Sequence, residues 1–324
     1  MVSSEKKASG KKTLKKVLKG SAIAIIIFIT ISMIATKLIY DSIFQRYDSD
    51  VKKQPEALEE LKASKTITYQ SGENTLTGYL YKSPKKTDSL IVLVGGFQSE
   101  VLEYTDVIRK FTASGFDVFS FDSTGHGTSE GDSAVGFPQI ISDLNATLDY
   151  IENSDEFEYE DIFLFGHSRG GYGVCCVMGE HKSISAVISV NGVDKAMDGI
   201  MAGSVDSVGK LAYGNYPFLW AYQSMLFGKD LADRSAVDRI NKSDIPVLII
   251  QSENDERIPK DFFSLYSHKD EINSENAEFM LYNSPDKDGH TSILYDDNGN
   301  ANPDIIRKAA AFFRKNTGQE DSSE

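Results

Sequence analysis

The chain has 324 residues, 40% hydrophobic and 25% charged, a globular composition that excludes wholesale disorder and allows about two domains, or one large α/β domain with attachments. Its only cysteines, the neighbours Cys175 and Cys176, exclude a disulfide-stapled scaffold and a cysteine-built zinc site. The net charge of −14 is split: residues 1–40 carry +7, eight lysines against Glu5, and the rest of the chain carries −21. A body of that charge repels polyphosphate, which argues against general nucleic-acid binding.

Residues 1–20 read as a basic tail and residues 21–40, SAIAIIIFITISMIATKLIY, as an anchor across the lipid bilayer. Ser21 to Thr36 holds no charge, and twenty helical residues span about 30 Å, the thickness of a hydrocarbon core. Lys37 can lay its stem along the helix and reach the headgroups. Lysines crowd the stretch before the span, while Asp41, Arg46, Asp48 and Asp50 follow it. The positive-inside rule then predicts a single-pass protein of the cell membrane with a cytoplasmic N-terminus and an extracytoplasmic body. A cleaved signal peptide would need a shorter apolar core and a small-x-small site, absent here. A buried core helix would not be apolar on every face behind a lysine cluster.

Residues 41–64, charged and containing Pro55 and EALEELKAS, are expected to form a stalk; residues 317–324 are a polar tail. From residue 65 onward short β-branched or aromatic runs recur at 66–70, 76–82, 90–95, 117–121, 161–166, 184–190, 246–251 and 277–282. Helical patterns fall at 100–114, 138–153, 169–180, 260–272 and 303–316. The first two runs flank SGEN, a turn signal, which predicts an antiparallel start. The later runs are apolar on both faces, as a helix-covered parallel sheet requires. One doubly wound α/β domain over 65–316 is therefore expected. Residues 194–244 contain no strand pattern but include the aromatic LAYGNYPFLWAYQSMLFG. That is longer than a crossover needs, so a helical cap insertion is predicted, with a pair of core helices as the alternative.

The strongest chemical signal is Gly166-His167-Ser168-Arg169-Gly170, followed by Gly171. It leaves the apolar run DIFLF and opens a helical pattern, the setting of a nucleophile elbow. A sharp strained turn lifts the serine hydroxyl above the strand end, and only glycines fit against the neighbouring strand and helix. On this motif and its setting, residues 65–316 resemble the α/β-hydrolase superfamily, and within it the bacterial serine hydrolases of the esterase, lipase and acyl-peptidase-like branches. The resemblance implies a mostly parallel sheet with helices on both faces, and a chain order of nucleophile, acid, histidine.

The resemblance assigns Ser168 as nucleophile. Of five histidines, His290 lies in the loop SPDKDGHTS after the last strand, where the family places its base. His167 is the variable residue of the elbow and should point away from the hydroxyl. His126 lies in DSTGHGTSEG, a segment resembling one that shapes the family's active-site floor; His181 ends the elbow helix and His268 sits on a helical pattern. SENDERIP resembles the family's G-x-x-D-x-x-V-P, so Asp255 matches the acid; Glu253 and Glu256 are off the pattern. Asp194 is the second choice, and Asp286 and Asp288 are expected to be solvent-exposed. The oxyanion donors implied are the backbone N–H groups of Arg169 and of Phe97, in Gly95-Gly96-Phe97-Gln98. Gly95 stands where the family often has histidine, a departure that bears on the loop's support.

Other signals are weaker. Asp296-Asp297-Asn298-Gly299-Asn300 lacks the glycine position and terminal glutamate of a calcium loop and reads as an acidic turn. Asn145 and Asn241 fit the glycosylation triplet. Cys175 and Cys176 read as packing residues. No dinucleotide or P-loop motif and no metal cluster is present, so no cofactor or metal is expected. The expected activity is hydrolysis of an ester or thioester of a small acyl substrate, an apolar one if the aromatic cap lines the site. The alternatives are a serine peptidase of the aminopeptidase or prolyl-oligopeptidase-like branches, and a non-catalytic binding protein of the same fold.

Overall fold

The computed structural model describes residues 2–49, 63–284, 288–296 and 298–317, with side chains from residue 14 onward. Among the described residues eight strands form one sheet: β1 (Lys65–Ser71), β2 (Asn74–Tyr81), β3 (Ser89–Val94), β4 (Asp117–Asp122), β5 (Asp161–His167), β6 (Ile184–Val190), β7 (Val247–Ser252) and β8 (Ala277–Tyr282). Their order is β1-β2-β4-β3-β5-β6-β7-β8. The β1–β2 and β2–β4 pairs are antiparallel and all later pairs parallel. This is the α/β-hydrolase fold, and each predicted strand is found.

Side-chain alternation builds the two faces. Leu90, Val92 and Val94 of β3 face one apolar layer, and Ile91 and Leu93 the other. The first layer is closed by α3 (Gln139–Asn153), α4 (Arg169–Cys176) and α7 (Ala236–Asn241). The second is closed by α2 (Thr105–Ala113) and α8 (Pro303–Lys315), where Phe313 stacks on Phe163 with ring centroids 4.6 Å apart. Between β6 and β7 the chain builds α5 (Ala196–Val208), a short 3-10 turn, α6 (Ala212–Ala232, kinked at Gly228) and α7.

The helix expected over 260–272 is reduced to the 3-10 segment Leu265–His268. Ser264 Oγ accepts from Ser267 N at 3.1 Å, while Ser267 Oγ donates to the carbonyls of Phe262 and Ser264 at 2.8 and 2.6 Å. Such local bonds compete with the helical ladder. Leu265 N is drawn to Gly192 O instead.

The N-terminal helix α1 runs over Val2–Ile43. Its stretch Leu14–Ile43, whose most apolar 18-residue window has a mean hydropathy of 2.4, is the one candidate among the described residues long and apolar enough to cross a membrane. The helix passes the expected limit at residue 40, and the start of the predicted stalk is docked on the body. Tyr40 and Phe44, one turn apart on one face, are 1% and 2% exposed and belong to the first apolar layer. Tyr40 packs on Tyr222 of α6, and Phe44 on Phe97. Beyond them, Ala134 N donates to Phe44 O, Tyr47 N to Gly125 O and Gly127 N to Tyr47 O. Arg46 donates to the carbonyls of Ser129, Gly131 and Gly127. Aromatic packing and the loop carbonyls that accept from Arg46 and Tyr47 hold residues 41–49, where composition alone suggests a stalk. The rest of the proposed stalk, including most of EALEELKAS, and the tail at 318–324 lie outside the described residues.

Candidate active site

Ser168 sits between β5 and α4 with φ 56° and ψ −118°, a strained backbone for a residue with a Cβ. Its neighbours explain how the turn closes. A Cβ on Gly166 would lie 2.3 Å from Gly170 O, and one on Gly170 would lie 2.1 Å from Val94 O. Only glycine lets strand, turn and helix approach so closely.

Three expected residues from three separate loops meet in one hydrogen-bonded chain. His290 Nε2 lies 2.9 Å from Ser168 Oγ, and His290 Nδ1 lies 2.8 Å from Asp255 Oδ2. Asp255 is buried, and its Oδ1 accepts from the backbone of Arg257 and Ile258 at 2.9 and 2.8 Å. The Ile258-Pro259 part of the motif thus turns the loop so that one carboxylate oxygen is held and the other meets imidazole. With Nδ1–H donated to Asp255, Nε2 is left as the acceptor facing the serine hydroxyl.

Asp194 is not part of this chain. Its Oδ1 accepts from Ser235 Oγ at 2.7 Å and Val237 N at 2.9 Å, tying the start of α7 to the end of β6. Asp288 is half exposed, accepts weakly from His290 N and pairs with Arg257 at 3.6 Å; Asp286 lies outside the described residues. His181 is bonded to Glu152 and Asn145, and His268 to Glu271.

Several positioning residues carried no signal that sequence reading could use. His167 does point away from Ser168: its Nε2 donates to His290 O at 2.9 Å, and its Nδ1 lies 3.0 Å from Tyr104 Oη. Tyr104 Oη also accepts from Gly96 N at 2.8 Å, and Ser99 Oγ donates to Gly96 O at 3.0 Å. Tyr104 and Ser99 therefore support the loop that lacks the family's histidine at Gly95. Asn191, buried with φ 49°, donates to the carbonyls of Gly289 and His290 and accepts from Ser252 N. It locks the His290 loop to β7. Burial and the neighbouring His290 push His167 down to about 3, so it is neutral at ordinary pH.

The Phe97 loop lies against the nucleophile, since a Cβ on Gly96 would be 3.3 Å from Ser168 Cβ. Arg169 is the first residue of α4, so its N–H has no partner within the helix. Its side chain is 1% exposed, and among the described residues none of its guanidinium nitrogens has a hydrogen-bond partner. The guanidinium lies 5.6 Å from the centroid of the Phe97 ring. Burial lowers it to about 10, with the Asp143 carboxylate opposing the shift.

A cleft of about 850 Å³ opens over Ser168 and His290. One wall is Gly199, Ala202, Gly203, Asp206 and Ser207 of α5; the other holds Phe97 and Tyr104, with Glu103, Glu256, Arg257 and Asp288 toward the rim.

Among the described residues, two groups elsewhere bring three potential metal ligands within 4.8 Å of one another: Asp149, Glu152 and His181, and Asp194, Asp198 and His268. In each, ligand atoms are already engaged, Glu152 by His181 and Ser183, Asp194 by α7. Asp296 accepts from Asn298 N and Asn300 N, a self-closed turn. The amides of Asn145 and Asn241 are bonded to Glu180 and Glu271 respectively. Cys175 and Cys176 are free and fully buried.

Comparison with known proteins agrees with this architecture. Residues 85–197 match a family described as serine aminopeptidase, S33. A protein phosphatase methylesterase 1 of Candida albicans is 29% identical over 91 residues, 28% of this chain and only a quarter of that protein's length. YfhR of Salmonella typhi, an uncharacterized protein, is 25% identical over 63% of this chain and 69% of its own. The Pyrococcus furiosus esterase Pf2001 superposes with a TM-score of 0.60 at 18% identity, covering 82% of this chain and 96% of the esterase. Est1E from Butyrivibrio proteoclasticus, with ferulic acid bound, gives 0.57 at 18% identity over 78% of this chain and all of Est1E. The fold and the matched family define the class: an α/β-hydrolase-fold protein.

Proposed function

We propose that this protein is a membrane-anchored serine hydrolase that cleaves an ester or thioester through a covalent acyl-enzyme. The observation that carries the reading is the Ser168–His290–Asp255 chain, with contacts of 2.9 and 2.8 Å. His290 takes the hydroxyl proton as Ser168 Oγ attacks the acyl carbonyl carbon. Asp255 keeps the imidazole in the productive tautomer and stabilises the imidazolium. The N–H groups of Phe97 and Arg169 receive the oxyanion; His290 gives its proton to the leaving group, then activates the water that frees the acid. Loss of one such donor typically lowers the rate by about 10²–10³. The lysine excess of the tail before α1 supports an extracytoplasmic body by the positive-inside rule.

A second reading, a serine peptidase, is favoured by one feature. Glu103, Asp206, Glu256 and Asp288 around the cleft outnumber Arg257, which suits a substrate bearing a free amine. A fluorophosphonate probe tests the common chemistry: labelling that vanishes in Ser168→Ala supports it, and a folded wild type that resists the probe rules it out. p-Nitrophenyl esters of graded chain length, assayed against aminoacyl-nitroanilides, separate ester from peptide cleavage. Protease added outside intact cells should remove the body; full protection contradicts the topology.

A further inference from the structure

We infer that the tip of the cap, where α5 ends and α6 begins, sits in the outer leaflet of the bilayer that α1 crosses, so that the cleft opens onto lipid and takes a long-chain acyl ester from the membrane. The inference rests on the proposed span and the proposed hydrolysis. Its starting point is a contact in the wrong place for a simple tether. Phe28 lies near the middle of the uncharged stretch from Ser21 to Thr36. Its ring nevertheless meets Phe218 of α6, with centroids 6.0 Å apart at 73°. Higher on the same helix Thr36 is fully buried and donates to Asn215 Oδ1 at 3.2 Å.

Phe28 is twelve residues before Tyr40, about 18 Å along a helix axis. Half of a hydrocarbon core is about 15 Å, so the Phe28–Phe218 contact falls at the midplane and the Phe218 side chain reaches it from within the outer leaflet. The first turns of α6 therefore cannot keep these contacts and also stand clear of the leaflet. Lifting α1 outward to free the cap would draw Lys19, Lys16 and Lys15 into hydrocarbon, at about 2.5–3.5 kcal/mol each near the centre.

The surface of the cap fits the same placement. Val208, Leu211, Tyr213 and Tyr216 are exposed, Leu211 at 84%. Tyrosine is favoured at the membrane interface, where its ring meets acyl chains and its hydroxyl meets water. Val208 directly follows Asp206 and Ser207, which line the cleft, so the patch and the cleft share an edge. A Cβ on Gly203, in that same wall, would meet nothing within 4 Å, leaving room for a chain entering from the lipid side.

The test uses the full-length protein in phosphatidylcholine vesicles. Because Cys175 and Cys176 are fully buried, a cysteine introduced on the surface is selectively labelled. An environment-sensitive fluorophore is placed at Leu211→Cys, at Ile29→Cys on α1 and at Glu158→Cys on the body. The expected result is blue-shifted emission, quenched by brominated lipid, at 29 and 211 but not at 158. A lipid-like signal at 29 with a water-like one at 211 overturns the inference and leaves the anchor standing. Water-like signals at both overturn it together with the anchor. A blue shift at 211 without lipid quenching means that protein, such as a second copy, covers the patch, and also overturns it. Leu211→Asp should lower turnover of a vesicle-borne long-chain ester by about tenfold or more, from the lost apolar burial, and leave a dissolved acetate ester unaffected. Equal effects on both esters, or none, contradict the proposed substrate route. If the wild type cleaves neither ester and Ser168 resists fluorophosphonate, the hydrolase reading has failed, while the fluorophores still decide where the cap lies.

Discussion

The ring of Phe44 meets the ring of Phe97 edge to face, with centroids 5.1 Å apart at 62°. Phe44 follows the last turn of α1, and Phe97 belongs to the loop proposed to donate to the oxyanion. Phe97 also meets the buried Arg169 guanidinium, so the end of α1 and both proposed donors share one packed stack. Removing the ring edge should loosen the loop more than it loosens binding. Phe44→Leu, which keeps the burial, is expected to lower kcat by about tenfold at nearly constant KM, a misplacement effect of about 1.4 kcal/mol. Phe44→Tyr should restore most of it. Steady-state kinetics on a soluble ester decides this; unchanged kcat in a folded Phe44→Leu protein contradicts the coupling.

The two candidate acids should separate cleanly. Asp255→Asn removes the carboxylate that orients His290, and kcat should fall by about 10³–10⁴. Asp194→Asn leaves the imidazole untouched but weakens the bonds that start α7, so kcat should hold while stability drops by about 1 kcal/mol. Thermal melts and kinetics on the two variants check both halves. Activity that survives Asp255→Asn refutes the assignment.

Stability should fall on the acid side. Burial lowers His126 and His167 to about 3, against 6.5 for an unfolded histidine. Between those values the unfolded chain binds the extra protons, so this contribution is complete above about pH 6.5 and is lost as pH falls toward 3. At pH 5 each histidine costs about 2 kcal/mol. Asp198 works in the opposite direction, because burial raises its carboxyl to about 6; its contribution is lost as pH rises from about 4 to 6. His126→Asn, whose amide can still donate to Thr124 O, should flatten the acid limb in denaturant titrations from pH 7 to pH 5. An unchanged slope would show that His126 titrates normally.

Two glycines should respond in opposite ways. Gly170→Ala drives a Cβ to within 2.1 Å of Val94 O, and both are backbone-bound, so a loss of about 3 kcal/mol or more is expected. Gly203→Ala lies in α5 with open space around it and should stabilise by up to about 1 kcal/mol. Paired melting curves of the two variants measure the contrast.

Arg169 should prove costly as a buried charge. Its guanidinium nitrogens lack hydrogen-bond partners among the described residues, so Arg169→Met is expected to match or exceed wild-type stability, by up to about 1–4 kcal/mol. A clear loss of stability in urea titration would mean that the Asp143 charge and the Phe97 face hold it more strongly than burial penalises it.

The sequence by itself determined the central strands, because burial on both faces of a parallel sheet leaves uninterrupted apolar runs such as LIVLV and DIFLF, and it marked β1 and β2 through the SGEN turn between two β-branched and aromatic runs. It also determined where Ser168, Asp255 and His290 lie, because strained turns demand glycines and a Pro at set spacings around them. Tertiary structure alone decided which acid meets the histidine: Asp255 and Asp194 both follow strands, and only the fold turns one toward His290 and spends the other on α7. Structure alone also revealed Tyr104, Asn191 and the inward role of His167, since their partners lie 63 to 123 residues away and no local pattern marks such pairs. The 260–272 segment departs from its helical pattern because serine side chains take the backbone groups a helix would use. The expected boundary at residue 40 is crossed by α1 for the reverse reason. In sequence Tyr40 closes the apolar run and Phe44 falls in the charged stretch after it, and both become core residues because the aromatic face of α6 and the Phe97 loop bury them.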